Sequence, residues 1–318
     1  MPSSEKKDLE STNINCTVCG SVNTSFYIET NAMMHADNTE SYRFYSCIDC
    51  NSKFLSNPVK ESNLSKYYTE SYLPYRGSSA WGKFSKFVEW DDETLNRKRR
   101  KVLEPYLPES DKIYILDVGC GKPDFLAEVA KDLRFKCTGV DFTEADWKNE
   151  KYNSIHLQAC DWKNAEFDHK FHLITAWHYL EHDYNIKETI ARLNDIILPG
   201  GFVIIEVPMF EGLLLKLQKQ FWQGWHSPRH LNLFSSKSWS MIFDPNNWTL
   251  IKRHEFGTLS AFTLWWLGYR QKRKTNWSGN MENYFWSLVM FKILLAPLFL
   301  FEKFIPFGIQ TVIIQKNK

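Results

Sequence analysis

The stretch Ile113–Leu126, Ile-Tyr-Ile-Leu-Asp-Val-Gly-Cys-Gly-Lys-Pro-Asp-Phe-Leu, constrains the fold more than any other part of this chain. An apolar run of strand length leads into a tight turn carrying Gly119 and Gly121, and a helical pattern follows. Phe125, Leu126, Val129, Ala130 and Leu133 fall on one helical face, which predicts a helix lying against the sheet that holds the strand. Pro123 stands where the first helical turn begins, a position that tolerates its fixed φ and missing N–H. Strand, glycine turn and helix start together form the phosphate or cofactor corner of a doubly wound α/β sheet. No later glycine completes a dinucleotide fingerprint.

The strands that follow fit such a sheet. Phe135–Val140 reads as the second and ends at Asp141, 22 residues beyond Gly119. An isolated acid there would be a solvated turn; at this spacing from the glycine turn, it is placed to accept both ribose hydroxyls of a nucleoside. Ser154–Ala159 reads as the third strand and Phe171–Trp177 as the fourth, followed by His178-Tyr-Leu-Glu181-His182. An amphipathic helix, Ile186–Ile197, is stopped by Leu198-Pro-Gly-Gly201, and Phe202–Val207 is the fifth strand. Five helix-linked strands account for the parallel sheet, with Trp248–Glu255 as the sixth strand and Ile309–Gln315 as the last.

Upstream, Cys16-Thr-Val-Cys19 and Cys47-Ile-Asp-Cys50 are two Cys-x-x-Cys knuckles about one hairpin apart, with strand-like Phe26–Ile28 and Tyr42–Tyr45 between them. Four thiolates on two tight turns are the ligand set of a structural zinc ribbon, closed to substrate. The alternative, free or redox-active cysteines, stays open from sequence alone. Residues 1–13 read as a disordered tail, residues 1–60 as tail plus ribbon, 61–110 as a helical linker or lid, and 111–318 as the α/β domain. Tyr67, Tyr68 and Tyr72 are either packed or part of a lid over the site. Asp91–Leu107 reads as a helix with its acids at the start and Leu95, Val102, Leu103 and Tyr106 on one face. Its cation run Arg97–Lys101 reads as a solvated face, with a phosphate-bearing substrate or an anionic membrane as the alternative.

With Asp117 ahead of the first glycine, the corner resembles motif I of the class I S-adenosylmethionine-dependent methyltransferases, Asp-x-Gly-x-Gly-x-Gly, with Pro123 in place of the third glycine. Leu-Glu-His after the fourth strand resembles the ubiquinone-biosynthesis-like branch, although His172 stands where that branch usually has Asp. The order of zinc ribbon, Tyr-Tyr segment, motif I, Leu-Glu-His and a Pro-x-His-Leu loop is similar to that of bacterial sugar methyltransferases with a zinc ribbon. The resemblance implies a Rossmann-like seven-stranded sheet whose last strand inserts antiparallel beside the fifth. It implies that Asp117, Gly119 and Gly121 shape the cofactor turn, that Asp141 holds the ribose, and that Asp161 caps the adenine edge with Trp162 near the ring. Some relatives use the Glu-His pair to hold a divalent metal; the sequence shows no third ligand, so no such site is assigned. The loop Trp225–Ser235 carries His226 and His230 beside Arg229. His230 is the first candidate for general base, with His182 and His226 behind it, because imidazole titrates near working pH.

Residues 257–308 form an insertion containing Trp265, Trp266, four cations between Arg270 and Lys274, and the apolar run 285–301. That run has 17 residues and includes Lys292 and Pro297, too short and interrupted to span a bilayer. It reads as a helical hairpin that packs on the domain or dips into a membrane surface. A net charge of +2 argues against a nucleic-acid partner, though a ribosomal or transfer RNA methyltransferase is one alternative and a non-catalytic, membrane-associated cofactor-binding protein another. The expected acceptor is small: a sugar, a glycan or a lipid-linked intermediate. The polar N-terminus and the cysteine usage place the protein in the cytoplasm, with the inner membrane face as an option. The oligomeric state is left open.

Overall fold

The computed structural model describes residues 14–35, 39–69, 72–144, 147–299, 301 and 304–318, so the tail read as disordered lies outside the described residues. Strands β1 (Thr24–Asn31), β2 (Ser41–Cys47) and β3 (Lys53–Leu55) form an antiparallel meander. A single turn, α1 (Leu73–Arg76), and a long helix, α2 (Ser85–Leu103), lead into the main sheet. There follow β4 (Ile113–Val118), α3 (Asp124–Val129), β5 (Phe135–Asp141), β6 (His156–Ala159), β7 (Phe171–Trp177), α4 (Ile186–Ile196) and β8 (Ile197–Pro208). The chain closes with α5 (Leu213–Gln218), β9 (Asn232–Leu233), α6 (Ser236–Ile242), β10 (Trp248–His254), α7 (Ala261–Lys272), α8 (Phe285–Phe299) and β11 (Ile309–Lys316).

The main sheet has seven strands in the order β10-β11-β8-β7-β4-β5-β6. Strands β4 to β8 pair in parallel, and β11 runs antiparallel to both β8 and β10. Its central strands are buried on both faces, which is why β7 and β8 read as continuous apolar runs rather than alternating ones. Strand order reverses between β4 and β7, so the loops leaving their carboxyl ends open one crevice.

Several local expectations need correction. Helix α3 ends at Val129, so Leu133 is 86% exposed instead of sharing the packed face. Pro123 is the N-cap, one position ahead of the first helical residue. Helix α2 starts at Ser85, not Asp91, because Phe84 and Phe87 pack on Phe285 and hold the extra turns; a 3₁₀ turn with Pro105 ends it. Its acids therefore lie along the helix and not at its positive end. Among the described residues, the β5–β6 and β6–β7 crossings carry only 3₁₀ turns, Glu150–Tyr152 and Trp162–Asn164. Strand β8 already begins at Ile197: its pairing with β7 jumps from Phe171–Ile197 to Leu173–Phe202, so Leu198–Gly201 bulges out, with Gly200 at φ +78°.

The N-terminal meander is tied into the domain. Strand β9, from the loop carrying His226 and His230, pairs with β3 and makes a four-stranded sheet. Cys16, Cys47, Cys50 and Phe54 pack in one cluster with Leu116, Val118 and Val207 of the main sheet. The insertion folds as an antiparallel helical hairpin: Trp265 meets Phe291, the Trp266 indole donates to Ser287 Oγ at 3.0 Å, and the Arg270 guanidinium lies 3.8 Å over the Tyr284 ring. Among the described residues no helix is long and apolar enough to cross a membrane.

Candidate active site

The glycine turn is built by its hydrogen bonds. Gly119 and Cys120 donate N–H to Val140 O at 2.9 and 3.1 Å, which folds the turn over the end of β5. Gly119 sits at φ +68°, and a Cβ there would come within 2.5 Å of the Tyr179 ring, so only glycine fits. Gly121, at φ +48°, has no atom within 4 Å of where its Cβ would be, which leaves open space beside the turn. Its N–H donates to Asp141 Oδ2 at 2.9 Å, while Asp141 Oδ1 accepts from Thr143 N at 3.1 Å. The carboxylate at the tip of β5 is thus oriented by the turn it faces.

Asp117 is buried and accepts from Thr175 Oγ1 of β7 at 2.6 Å. Burial pushes its carboxyl from the ordinary 3.8 up to about 7, against the lowering effect of that hydrogen bond. A carboxyl raised in this way adds stability that is complete below about 3.8 and lost as pH rises through about 7. Asp117→Asn keeps the acceptor for Thr175 and removes the buried charge. Its melting temperature is expected to gain on wild type by an amount that grows between about pH 4 and about pH 8. Thermal scans across that range check this, and a pH-independent difference would overturn it.

The adenine-side candidates sit differently. Asp161 caps its own turn, accepting from Lys163 N at 3.1 Å. Trp162 is buried in the core and donates its indole N–H to Tyr179 OH at 2.8 Å, so it supports the wall formed by Tyr179. His172 lies at the far, amino end of β7, where its Nδ1 accepts from Tyr114 N at 3.1 Å. One residue that sequence reasoning left in a solvated run reaches the crevice. The Arg99 guanidinium stacks 5.0 Å over the Trp177 ring, with the carboxylates of Glu206, Asp117 and Asp92 as its charged neighbours. Five adjacent cations carry no signal for which one turns inward; α2 packing decides it.

The second half of the crevice is a histidine cluster. After β7, His178 takes φ +55° and sits between two buried carboxylates, 3.3 Å from Glu181 Oε1 and 3.3 Å from Glu206 Oε1. Against the lowering effect of burial, these contacts raise His178 to about 9, and the same contact holds Glu206 down to about 2 despite burial. Glu206 is further fixed by Thr258 N at 2.6 Å and Thr311 Oγ1 at 3.0 Å. Neither His178 nor Glu206 stood out in the sequence.

The three candidate bases meet here. His182 and His230 rings lie 4.6 Å apart, and His226 and His230 5.0 Å apart. Burial first, then the neighbouring His182, lowers His230 to about 3; burial also lowers His182 and His226. Burial therefore favours the neutral form of all three. His230 Nδ1 faces Gly224 O at 2.8 Å and His182 Nδ1 faces Arg229 O at 3.0 Å. A carbonyl only accepts, so each Nδ1 carries the proton and each Nε2 keeps its lone pair. Glu181, His182 and His230 place one ligand atom each within 4.8 Å of one another, a two-histidine, one-carboxylate set able to hold a divalent cation. The third ligand absent from the local sequence is His230, brought in from 48 residues downstream of His182.

The tyrosine segment closes over this cluster. Tyr68 OH lies 3.2 Å from His182 Nδ1 and Tyr72 OH 3.0 Å from His226 Nε2; the residues between Thr69 and Tyr72 lie outside the described set. Arg229, fully buried, holds the segment by donating Nε to Tyr67 O at 2.9 Å and Nη1 to Met33 O at 2.8 Å, with its guanidinium carbon over the Tyr72 ring, 4.2 Å from the ring centre.

The four knuckle cysteines form a second, separate centre. Cys16 and Cys50 Sγ are 3.6 Å apart, as are Cys19 and Cys47, and all four lie within 4.8 Å. Thiolates at about 2.3 Å from a tetrahedral ion stand about 3.8 Å from one another, so the set fits one such ion. Hydrogen bonding from Cys16 holds the Cys50 thiol down to about 5.

A family model described as a methyltransferase domain matches residues 87–253. No curated protein matches the chain. Similar solved structures include coclaurine N-methyltransferase bound to N-methylheliamine and SAH, at 13% identity over 70% of this chain and 72% of that one, TM-score 0.46. A cyclopropane synthase from Mycobacterium tuberculosis is 14% identical over 69% and 84% of the two chains, TM-score 0.45. A putative sarcosine dimethylglycine methyltransferase from Galdieria sulphuraria is 10% identical over 73% and 88%, TM-score 0.47.

Proposed function

The chain belongs to the methyltransferase-domain family, and from that premise we propose that it moves the methyl group of S-adenosylmethionine to a small acceptor, a sugar, glycan or lipid-linked intermediate. The observation that carries this reading is a group of buried polar atoms without a hydrogen-bond partner at the carboxyl end of β7: Arg99 Nε, Trp177 Nε1 and Glu181 Oε2. Buried polar atoms are nearly always paired, so these three, on side chains that meet around Trp177 and His178, fit a polar ligand. Asp141 would hold the ribose and Asp161 the adenine edge. Arg99 would take the carboxylate of the donor's amino-acid end, a pairing that planar guanidinium favours.

The donor supplies a sulfonium-borne methyl group that needs no further activation. The chain's own task is alignment of the acceptor and removal of its proton. His230 is placed for the second role by geometry, its Nδ1 tied to Gly224 O and its Nε2 free to accept; burial makes the ring a weaker base than free imidazole, and Glu181 Oε1, 4.0 Å away, offsets part of that by stabilising the imidazolium. His182 and His226 are the alternatives. The same Glu181, His182 and His230 set also supports a second reading, a bound divalent cation that would orient the acceptor; metal analysis finding no ion beyond that of the cysteines excludes it. We read the cysteine centre as structural zinc, since all four ligands come from the chain and leave no open position.

Calorimetric titration with S-adenosylhomocysteine tests the reading, and 5′-methylthioadenosine, which lacks the amino-acid end, resolves Arg99. Arg99→Met is expected to weaken S-adenosylhomocysteine at least about tenfold, the loss of one charge-assisted bond, and to leave methylthioadenosine unchanged. Wild type that binds neither compound overturns the function.

A further inference from the structure

On an ordinary surface helix the exposed stripe is polar. On α8 it is not: Trp286, Met290, Ile293, Leu294 and Pro297, spaced one helical face apart, are all exposed, Ile293 by 61% and Leu294 by 71%. The opposite side packs through Phe285 and Leu288. Helix α2 lies beside α8, with Phe87 against Phe285 and Lys292 paired to Asp91, and it adds exposed Phe87 and Trp90 to the same side of the molecule. Single exposed apolar residues are ordinary, but a continuous face of this kind marks a binding surface.

Its charge says what the surface meets. Residues 257–301 contain five cations, Arg270, Lys272, Arg273, Lys274 and Lys292, against one acid, Glu282; Lys292 is paired to Asp91 and Glu282 to Lys83, which leaves the four cations near Arg270 to set the charge of this end. Four of the five sit at the end of α7, and the Arg270–Tyr284 contact fixes that end beside the start of α8. Exposed Trp286 and Trp90, aliphatic side chains along the helix and cations beside its start suit the surface of an anionic bilayer. The 15 residues of α8 span about 22 Å, short of the roughly 30 Å hydrocarbon core, so the helix lies along the interface.

We propose that the outer face of α8, with Phe87 and Trp90 of α2, docks the protein on an anionic lipid bilayer. The placement deepens the proposed function and rests on it in one respect: it narrows the acceptor to a lipid-linked one. Phe285 and Leu288 pack in the same cluster as Tyr72, whose hydroxyl is 3.0 Å from His226, so the docked hairpin backs directly onto the histidine cluster.

Vesicle flotation tests it with the full chain. Wild type is expected to float with vesicles of phosphatidylcholine mixed with phosphatidylglycerol, more weakly with phosphatidylcholine alone, and less as salt rises. Ile293→Asp combined with Leu294→Asp is expected to cut flotation at least about tenfold, and Lys272→Gln with Lys274→Gln to remove the preference for phosphatidylglycerol. Both double variants alter exposed side chains and should titrate S-adenosylhomocysteine as wild type does, which separates loss of docking from loss of fold or cofactor site. Wild type that stays with neither vesicle overturns the proposal, as does flotation unchanged by the two aspartates. So does a wild-type dimer that those aspartates dissociate without any vesicle binding, since a second copy then covers the face. Flotation without S-adenosylhomocysteine binding would retire the functional reading and leave the docking intact.

Discussion

Asp141→Ala is expected to lower affinity for S-adenosylhomocysteine by about 100-fold or more, roughly 3 kcal/mol, measured by calorimetric titration. Two losses add. The carboxylate leaves the ribose hydroxyls without charge-assisted acceptors, each worth about 1.5–3 kcal/mol. The turn also loses the Oδ2 that takes the Gly121 N–H at 2.9 Å, so the loop facing the ligand is no longer held at one of its glycines. Asp141→Asn keeps one oxygen for that N–H and should fall between wild type and alanine. The side chain is only partly buried and not a core group, so the melting temperature should move little. Affinity within threefold of wild type, with the fold intact, would remove Asp141 from the site.

Emptying the proposed zinc site of the four cysteines should have the largest effect on stability. Metal analysis is expected to find one zinc per chain, and chelation or Cys50→Ser to lower the melting temperature by about 10 °C or more, given that about 1 kcal/mol moves a chain of this size by a few degrees. The size follows from where the centre sits. Cys50 O accepts from Ser235 Oγ at 2.6 Å, Thr17 Oγ1 donates to Asn232 Oδ1 at 2.6 Å, and β3 pairs with β9. Loss of the ion therefore loosens the loop that carries His226 and His230, not only an appended module. A single transition unchanged by chelation would show the thiols to be plain core residues.

Much of this could be read from residues that are close in sequence. Phe171–Trp177 is β7 to the residue, and Ile113–Val118, the glycine turn and Asp141 fall where pattern and spacing place them. Buried parallel strands are continuous apolar runs, and a turn needing positive φ displays its glycines. Paired Cys-x-x-Cys knuckles likewise show in sequence which four thiols belong together. Element edges were less legible. The start of α2 depends on Phe285, 198 residues beyond Phe87, and the bulge at Leu198–Gly201 depends on the register with β7.

The chemistry of the site was least legible, for the same reason. The sheet, the glycine corner and the cysteine tetrad are each encoded in a local period or a short fixed spacing. Tertiary packing brought His230 against Glu181 and His182, set His226 beside His230, turned Arg99 out of a row of five cations into the crevice, and placed His178 between Glu181 and Glu206. Those meetings join loops that leave different strands at one reversal of sheet order, and no periodicity within a single segment carries information about which distant segment will face it.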